Sequence, residues 1–297
     1  MDRRSFLVAA AAAPFALRGG VAFAFVTADT EAHVAVVDLR TGIVMHRIPT
    51  RPGPRSVERV GAAAVVAHTA VGAVSILDGF RVRHVLDAFE EPRYTAGSRD
   101  GRYAFVTDSG RVELLTVDVA RGEIVARVKL KLWPRHLSLS RDGRTLWVGL
   151  GTASPELAVI DVSDPRRPRL KGSIRPAFAA HDVGFAPSGR VWVTAGEDRR
   201  ISAHGRLLAA DGAPQHVTFL GGHAFVTSGN DGTLRVYDEA SARLLHTASI
   251  PVGSYNVQFR DGRVLTPSLN AGTLCVLDAA GRLSHRTRVA ASCHDAA

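Results

Sequence analysis

Trp133-Pro134-Arg135-His136-Leu137-Ser138-Leu139-Ser140-Arg141-Asp142-Gly143-Arg144-Thr145-Leu146-Trp147-Val148 decides how this chain folds. It spells a turn, an alternating strand, a tight corner and a second strand. Leu137 and Leu139, two residues apart, share one face of the first strand. Asp142-Gly143 supplies a backbone that accepts positive φ, as a hairpin corner requires. The same order recurs along the chain. Pro92-Arg93-Tyr94 leads to Asp100-Gly101-Arg102 and Tyr103-Ala104-Phe105-Val106-Thr107, and Pro214-Gln215-His216-Val217-Thr218-Phe219 leads to Gly221-Gly222 and Ala224-Phe225-Val226-Thr227.

Corner glycines at Gly61, Gly101, Gly143, Gly189, Gly222 and Gly262 set a period near 40 residues. Short strands at that period, with no 3.6-residue apolar pattern, predict an all-β radial architecture: a β-propeller. Second strands fall near residues 22–27, 64–67, 103–107, 146–149, 191–194, 225–227 and 264–266. Third strands end at Asp38, Asp78, Asp118, Asp161, Asp238 and Asp278. Blade five is compressed and reaches only Ile201-Ser202-Ala203. That gives seven second strands but six complete first strands. Ser292-Cys293-His294-Asp295-Ala296-Ala297, which matches Ala180-His181-Asp182-Val183, is expected to supply the seventh and close the ring, hiding two sheet edges. The expectation is a seven-bladed propeller over residues 23–297.

Residues 1–22 read as an export signal. Arg3 and Arg4 precede Phe6, Leu7 and an alanine-rich apolar run ending at Leu17. That run is too short for the ~20 residues of a spanning helix, and the paired arginines resemble a twin-arginine signal. The mature chain is therefore expected to be periplasmic or secreted and not membrane-spanning. Its arginine excess accompanies only three lysines (Lys129, Lys131, Lys171) and abundant Ala, Gly and Val, the composition of a GC-rich genome as much as of a polyanion binder. Basic residues do not interleave with aromatics, so no single-strand stacking platform, and no clear nucleic-acid signature, is written here.

The repeat of Pro-x-His/Tyr, alternating strand, Asp-Gly-Arg, Tyr/Phe-Val-Thr and Val-x-Asp resembles the YVTN-type β-propeller family, its YncE-like group in particular. The resemblance runs from about residue 22 to 297 and implies fold more than function. Two departures stand out: blade five lacks the third-strand Asp, and Pro is replaced in two modules, assigned to Ala179 and Gly253.

Innermost strands of a propeller line its channel. Alignment on strand entry predicts one ring: Ser56, Tyr94, His136, His181, His216, Tyr255 and His294. Four of the chain's 12 histidines at seven equivalent positions suggest a site at one channel mouth. Neutral imidazole is the commonest transition-metal ligand, so His136, His181, His216 and His294 are candidate ligands for a metal or haem-type cofactor. Tyr94 and Tyr255 would share the rim. Nitrous oxide reductases and haem-d1 propellers resemble this in carrying axial histidines, although their motifs are not matched. The structural alternative is that each entry residue bonds a neighbouring blade. It has a geometric argument: innermost strands of adjacent blades diverge, and bonds of ~2.0–2.1 Å would need long reaches.

The repeated strand-end aspartates read as Asx turns. Arg166-Arg167-Pro168-Arg169-Leu170-Lys171 reads as a solvated basic loop. Cys275 is expected to be buried and free, and Cys293 axial. No Gly-x-Ser-x-Gly elbow, His-Glu-x-x-His or phosphate-binding glycine loop is present. The leading expectation is a non-catalytic exported propeller binding a protein or small ligand at its channel. The alternatives are a metal- or haem-type cofactor protein and a lactonase-like hydrolase, the last without a convincing Arg/Glu/His pattern.

Overall fold

The computed structural model describes residues 22–151 and 155–297. The expected export signal, apart from Ala22, lies outside them. The described chain forms seven four-stranded antiparallel sheets and, among these residues, no α-helix; a single 3-10 turn spans Thr69–Val71. Six sheets run in chain order from channel to rim. The seventh is closed as expected: Cys293–Ala296 is the innermost strand of blade one, beside Phe23–Ala28, His33–Asp38 and Val44–Pro49. Phe25 and Ala297 exchange backbone hydrogen bonds of 2.8 and 2.9 Å, which join the two ends of the chain.

Burial follows radial position. In blade three the middle strands, Tyr103–Asp108 and Glu113–Asp118, are buried throughout, because both of their faces meet a neighbouring blade. The outermost strand of blade four, Arg169–Ile174, is exposed throughout. The basic stretch expected as a loop therefore continues into this rim strand. Seven apolar clusters fill the seven blade interfaces. Phe25, Val34, Val57 and Val66 lie between blades one and two, while Val26, Leu265, Val276 and Cys293 lie between seven and one. Each fully buried large side chain contributes roughly 1.5–3 kcal/mol, and closure lets every blade bury both faces.

Three polar devices account for the repeat grammar. At the corner, Gly143 takes φ +73° while Asp142 accepts hydrogen bonds from Ser140 Oγ (2.6 Å) and the Arg144 amide (3.0 Å). At strand ends, Asp38, Asp161, Asp238 and Asp278 accept from amides of the following turn, as Asx turns do. The threonine of Val-Thr staples neighbouring blades. Thr27, Thr107, Thr194 and Thr227 donate through Oγ1 to the carbonyls of Arg55, Arg135, Gln215 and Tyr255 in the next blade.

Candidate metal centre in the channel

Two consecutive residues of the innermost strands face the channel, and bulges explain how. Pairing to the second strand skips between Pro92 and Thr95, Pro134 and Leu137, and Pro214 and Val217. A bulge leaves an extra residue unpaired and re-aims its side chain. The result is two stacked tiers rather than one ring. Arg55, Arg135, His181, Gln215, Tyr255 and His294 line the funnel at the end where these strands begin, with a cavity of about 240 Å³. Tyr94, His136, Asp182, His216, Asn256 and Asp295 line the other side, with a cavity of about 340 Å³, and Tyr94 reaches the funnel as well.

Hydrogen bonds fix this register independently. The threonine staples end on the carbonyls of Arg55, Arg135, Gln215 and Tyr255, all upper-tier residues. The amides of Tyr94, Asp182 and Asp295 each bond Oγ1 of their own blade's threonine, Thr107, Thr194 and Thr27, which makes them lower-tier equivalents. The single predicted ring is thus corrected: Tyr94, His136 and His216 belong to the lower tier, whereas His181, Tyr255 and His294 belong to the upper. The slip occurs in the three modules without proline. There Ala180, Ser254 and Cys293 stand where proline stands elsewhere, so histidine or tyrosine drew the alignment one residue early. The strand pattern carried the missing signal, since Asn256-Val257-Gln258-Phe259 repeats the alternation of His136-Leu137-Ser138-Leu139.

Between the tiers, His136, His181 and His216 from three successive blades bring ring nitrogens within 4.8 Å of one another. Imidazole–metal bonds of ~2.0–2.1 Å keep ligand nitrogens about 3.3 Å apart, so the three would have to draw closer to share one ion. All three residues are buried. His136 Nε2 is buried without a hydrogen-bond partner. Burial first, then the neighbouring His216 and His181, pushes the His136 pKa well below the usual histidine value and keeps its lone pair free at neutral pH. His216 Nδ1 lies 3.3 Å from Asp182 Oδ2. A carboxylate only accepts, so Nδ1 is the donor in this contact, the arrangement by which outer carboxylates orient metal-binding histidines.

Gly196 makes room for this cluster. It has φ +77°, and a Cβ there would come within 2.8 Å of His181 Cβ. Tyr94 closes another side, its ring centroid 3.8 Å from that of His136.

His294 stands outside the triad. Asn256 Nδ2 contacts its Nδ1 at 3.2 Å and donates to its carbonyl at 2.8 Å, and burial pushes its pKa well down. Tyr255 turns its hydroxyl to Asn230 (3.0 Å). Cys293 is not axial. It packs in the apolar cluster between blades seven and one, and burial pushes its thiol up to about 12; Cys275, free and buried as expected, is pushed up to about 11.

Below the triad, burial pushes Asp295 up to about 6, and burial together with Asp295 pushes Glu58 up to about 8. The triad and its carboxylate were therefore only half legible: the histidines were named, while Asp182, Asn256, Asp295 and Glu58 were not.

No protein-family model matches the chain, and no curated protein matches its sequence. Solved structures do. Hydrazine synthase of Kuenenia stuttgartiensis aligns with a TM-score of 0.72 at 18% identity over 86% of this chain and 92% of its own. Apo AztD from Citrobacter koseri aligns at 0.72 and 13% identity over 94% and 98%. The dihydro-heme d1 dehydrogenase NirN, in complex with DHE, aligns at 0.64 and 16% identity over 90% of this chain and 63% of its own. At these identities the likeness shows the fold: a seven-bladed β-propeller.

Proposed function

We propose that this chain is an exported YVTN-type propeller that binds a small ligand in its channel, and that His136, His181 and His216 hold a transition-metal ion there. One observation carries the metal reading: three imidazoles from three blades meet within 4.8 Å, with His136 Nε2 buried and unbonded. A neutral nitrogen donor set suits zinc, copper, iron or nickel. When bound, such an ion would supply a Lewis-acidic centre. Asp182 fixes the tautomer of His216, Gly196 admits His181, and Tyr94 packs against His136. Export rests on Arg3-Arg4-x-Phe6-Leu7. Among the described residues no helix is long and apolar enough to cross a membrane.

The metal reading is favoured over a haem-type group by crowding. A macrocycle needs an open slab beside its axial imidazole. The rings of Tyr94, His216 and His181 lie only 3.8, 4.2 and 4.6 Å from that of His136. The test is elemental analysis and an absorption spectrum of protein isolated from its own periplasm, followed by reloading after chelation. About one ion per chain is expected, falling to background in the H136A/H216A double variant with the fold intact by circular dichroism. Background metal in the wild-type protein before and after reloading overturns the reading.

A further inference from the structure

The two ends of the channel differ in charge. The lower cavity carries the carboxyls of Glu58, Asp182 and Asp295 and no arginine or lysine in its lining. The upper funnel carries Arg55 and Arg135 against one carboxylate, Glu197. Arg55 is committed to Asp29, at 3.0 Å. Arg135 is not committed. Among the described residues no carboxylate forms an ion pair with it at 4.0 Å or less, and its Nε is buried without a hydrogen-bond partner. Tyr94 lines the same funnel, and the Arg135 Cζ lies 5.9 Å from the ring of Trp133. A half-buried guanidinium without a counter-charge, inside a concave site, has donors and field left for an anion. Its planar fork fits the paired oxygens of a carboxylate or phosphate.

We infer that this funnel is a binding site for a small oxoanion, a carboxylate or a phosphate, with Arg135 as its charge partner and the Tyr94 hydroxyl beside it. The cavity of about 240 Å³ limits the occupant to a compact molecule. The site stands apart from the metal reading, because Arg135 and the shape of the funnel do not depend on an ion. An anion here would nonetheless sit on the side of the waist that His181 lines.

Trp133 supplies the readout. It is 37% exposed at the lip, flanked by Arg135 and by Arg93 at 6.0 Å, whereas Trp192 is fully buried on another blade. The experiment titrates chelated full-length protein with sodium phosphate and, separately, sodium succinate, by tryptophan fluorescence and by calorimetry. Saturable binding of at least one is expected, and the tighter of the two identifies the source. R135Q should weaken it at least tenfold, R135K less, and a W133F control should bind calorimetrically while losing the optical signal. R135Q guards against misfolding as a polar replacement, with its melting curve as the check. The H136A/H216A variant should lose metal yet keep the anion, which separates the two readings. No binding of either anion by the wild-type protein, or binding unchanged in folded R135Q, overturns the inference.

Discussion

Blades five and one carry the same dipeptide at the same place, His181-Asp182 and His294-Asp295, yet only the first contributes to the proposed metal site. Their backbone roles match. Each aspartate amide bonds its blade's threonine, at 3.1 and 2.9 Å. Each carboxylate accepts from the next residue's amide, at 2.8 and 2.9 Å. Each also reaches the next blade, Asp182 to the Val217 amide (3.3 Å) and Asp295 to that of Val57 (3.0 Å). The difference is the neighbour. Asp182 meets an imidazole, His216, whereas in the blade after Asp295 the equivalent position is Ser56, whose hydroxyl is spent on the Arg93 carbonyl at 2.7 Å. The repeat thus writes a structural clamp twice, and a second imidazole turns one copy into an orienting carboxylate. A shared motif locates a position; its chemistry is decided by the residue across the blade boundary.

The largest effect should come from cutting the blade-one copy away. Deleting Ser292 to Ala297 exposes the edge of Phe23–Ala28 and opens the clusters that hold Cys293, Ala296 and Ala297. The truncated protein is expected to lose cooperative unfolding or to drop by roughly 10 °C or more in Tm. An unchanged melting curve would mean the terminal strand is an ornament.

Next come the two histidines themselves. H181A should lower metal affinity at least about 100-fold, more than the 10–100-fold typical of losing an outer-shell partner. H294A should leave it within a few-fold and act on stability instead, since it removes a buried ring and one of the two contacts of Asn256 Nδ2, the other being to the backbone carbonyl. Equal effects on metal would show that the cluster extends round the channel. The aspartates follow at smaller scale: D182N should weaken metal binding roughly 10–100-fold, while D295N leaves it unchanged. Competitive titration against a metal indicator reads all four variants.

What the sequence showed and hid follows the same division. The corner and the Val-Thr strand recur along the chain, so a period near 40 exposes them, and the blade count and the closing strand follow from that period. Proline marks strand entry at Pro92, Pro134 and Pro214, and there Tyr94, His136 and His216 fall in one tier. At Ala180, Ser254 and Cys293 no ring constrains φ and no residue type announces strand entry, so the register shifts by one. Contacts between blades were illegible for a different reason. Asp182 against His216, or Glu58 near Asp295, joins residues that no local pattern links, and only the closed ring brings them together.

The smallest expected effect concerns Glu58, which lies on the blade-one side of the comparison. Its carboxyl is pushed from an ordinary 4.5 up to about 8, by burial first and by Asp295 second. A raised folded-state pKa means the native protein binds more protons than the unfolded chain between those values, so stability is lost as pH rises through them. Asp295, raised from 3.8 to about 6, has the same sign lower down. His136 and His294, lowered from 6.5, have the opposite sign and lose stability as pH falls below that value. The interval from about pH 6.5 to 8 therefore isolates Glu58. Metal-free wild-type protein should lose a few degrees of Tm across it, and E58Q, which keeps the shape without a proton to lose, should lose less. D295N should flatten the same slope by removing the charge that helps hold Glu58 protonated, whereas D182N should not. Parallel slopes for wild-type and E58Q would show that Glu58 titrates as an ordinary surface carboxylate, and a slope flattened equally by D182N would erase the distinction between the two blades.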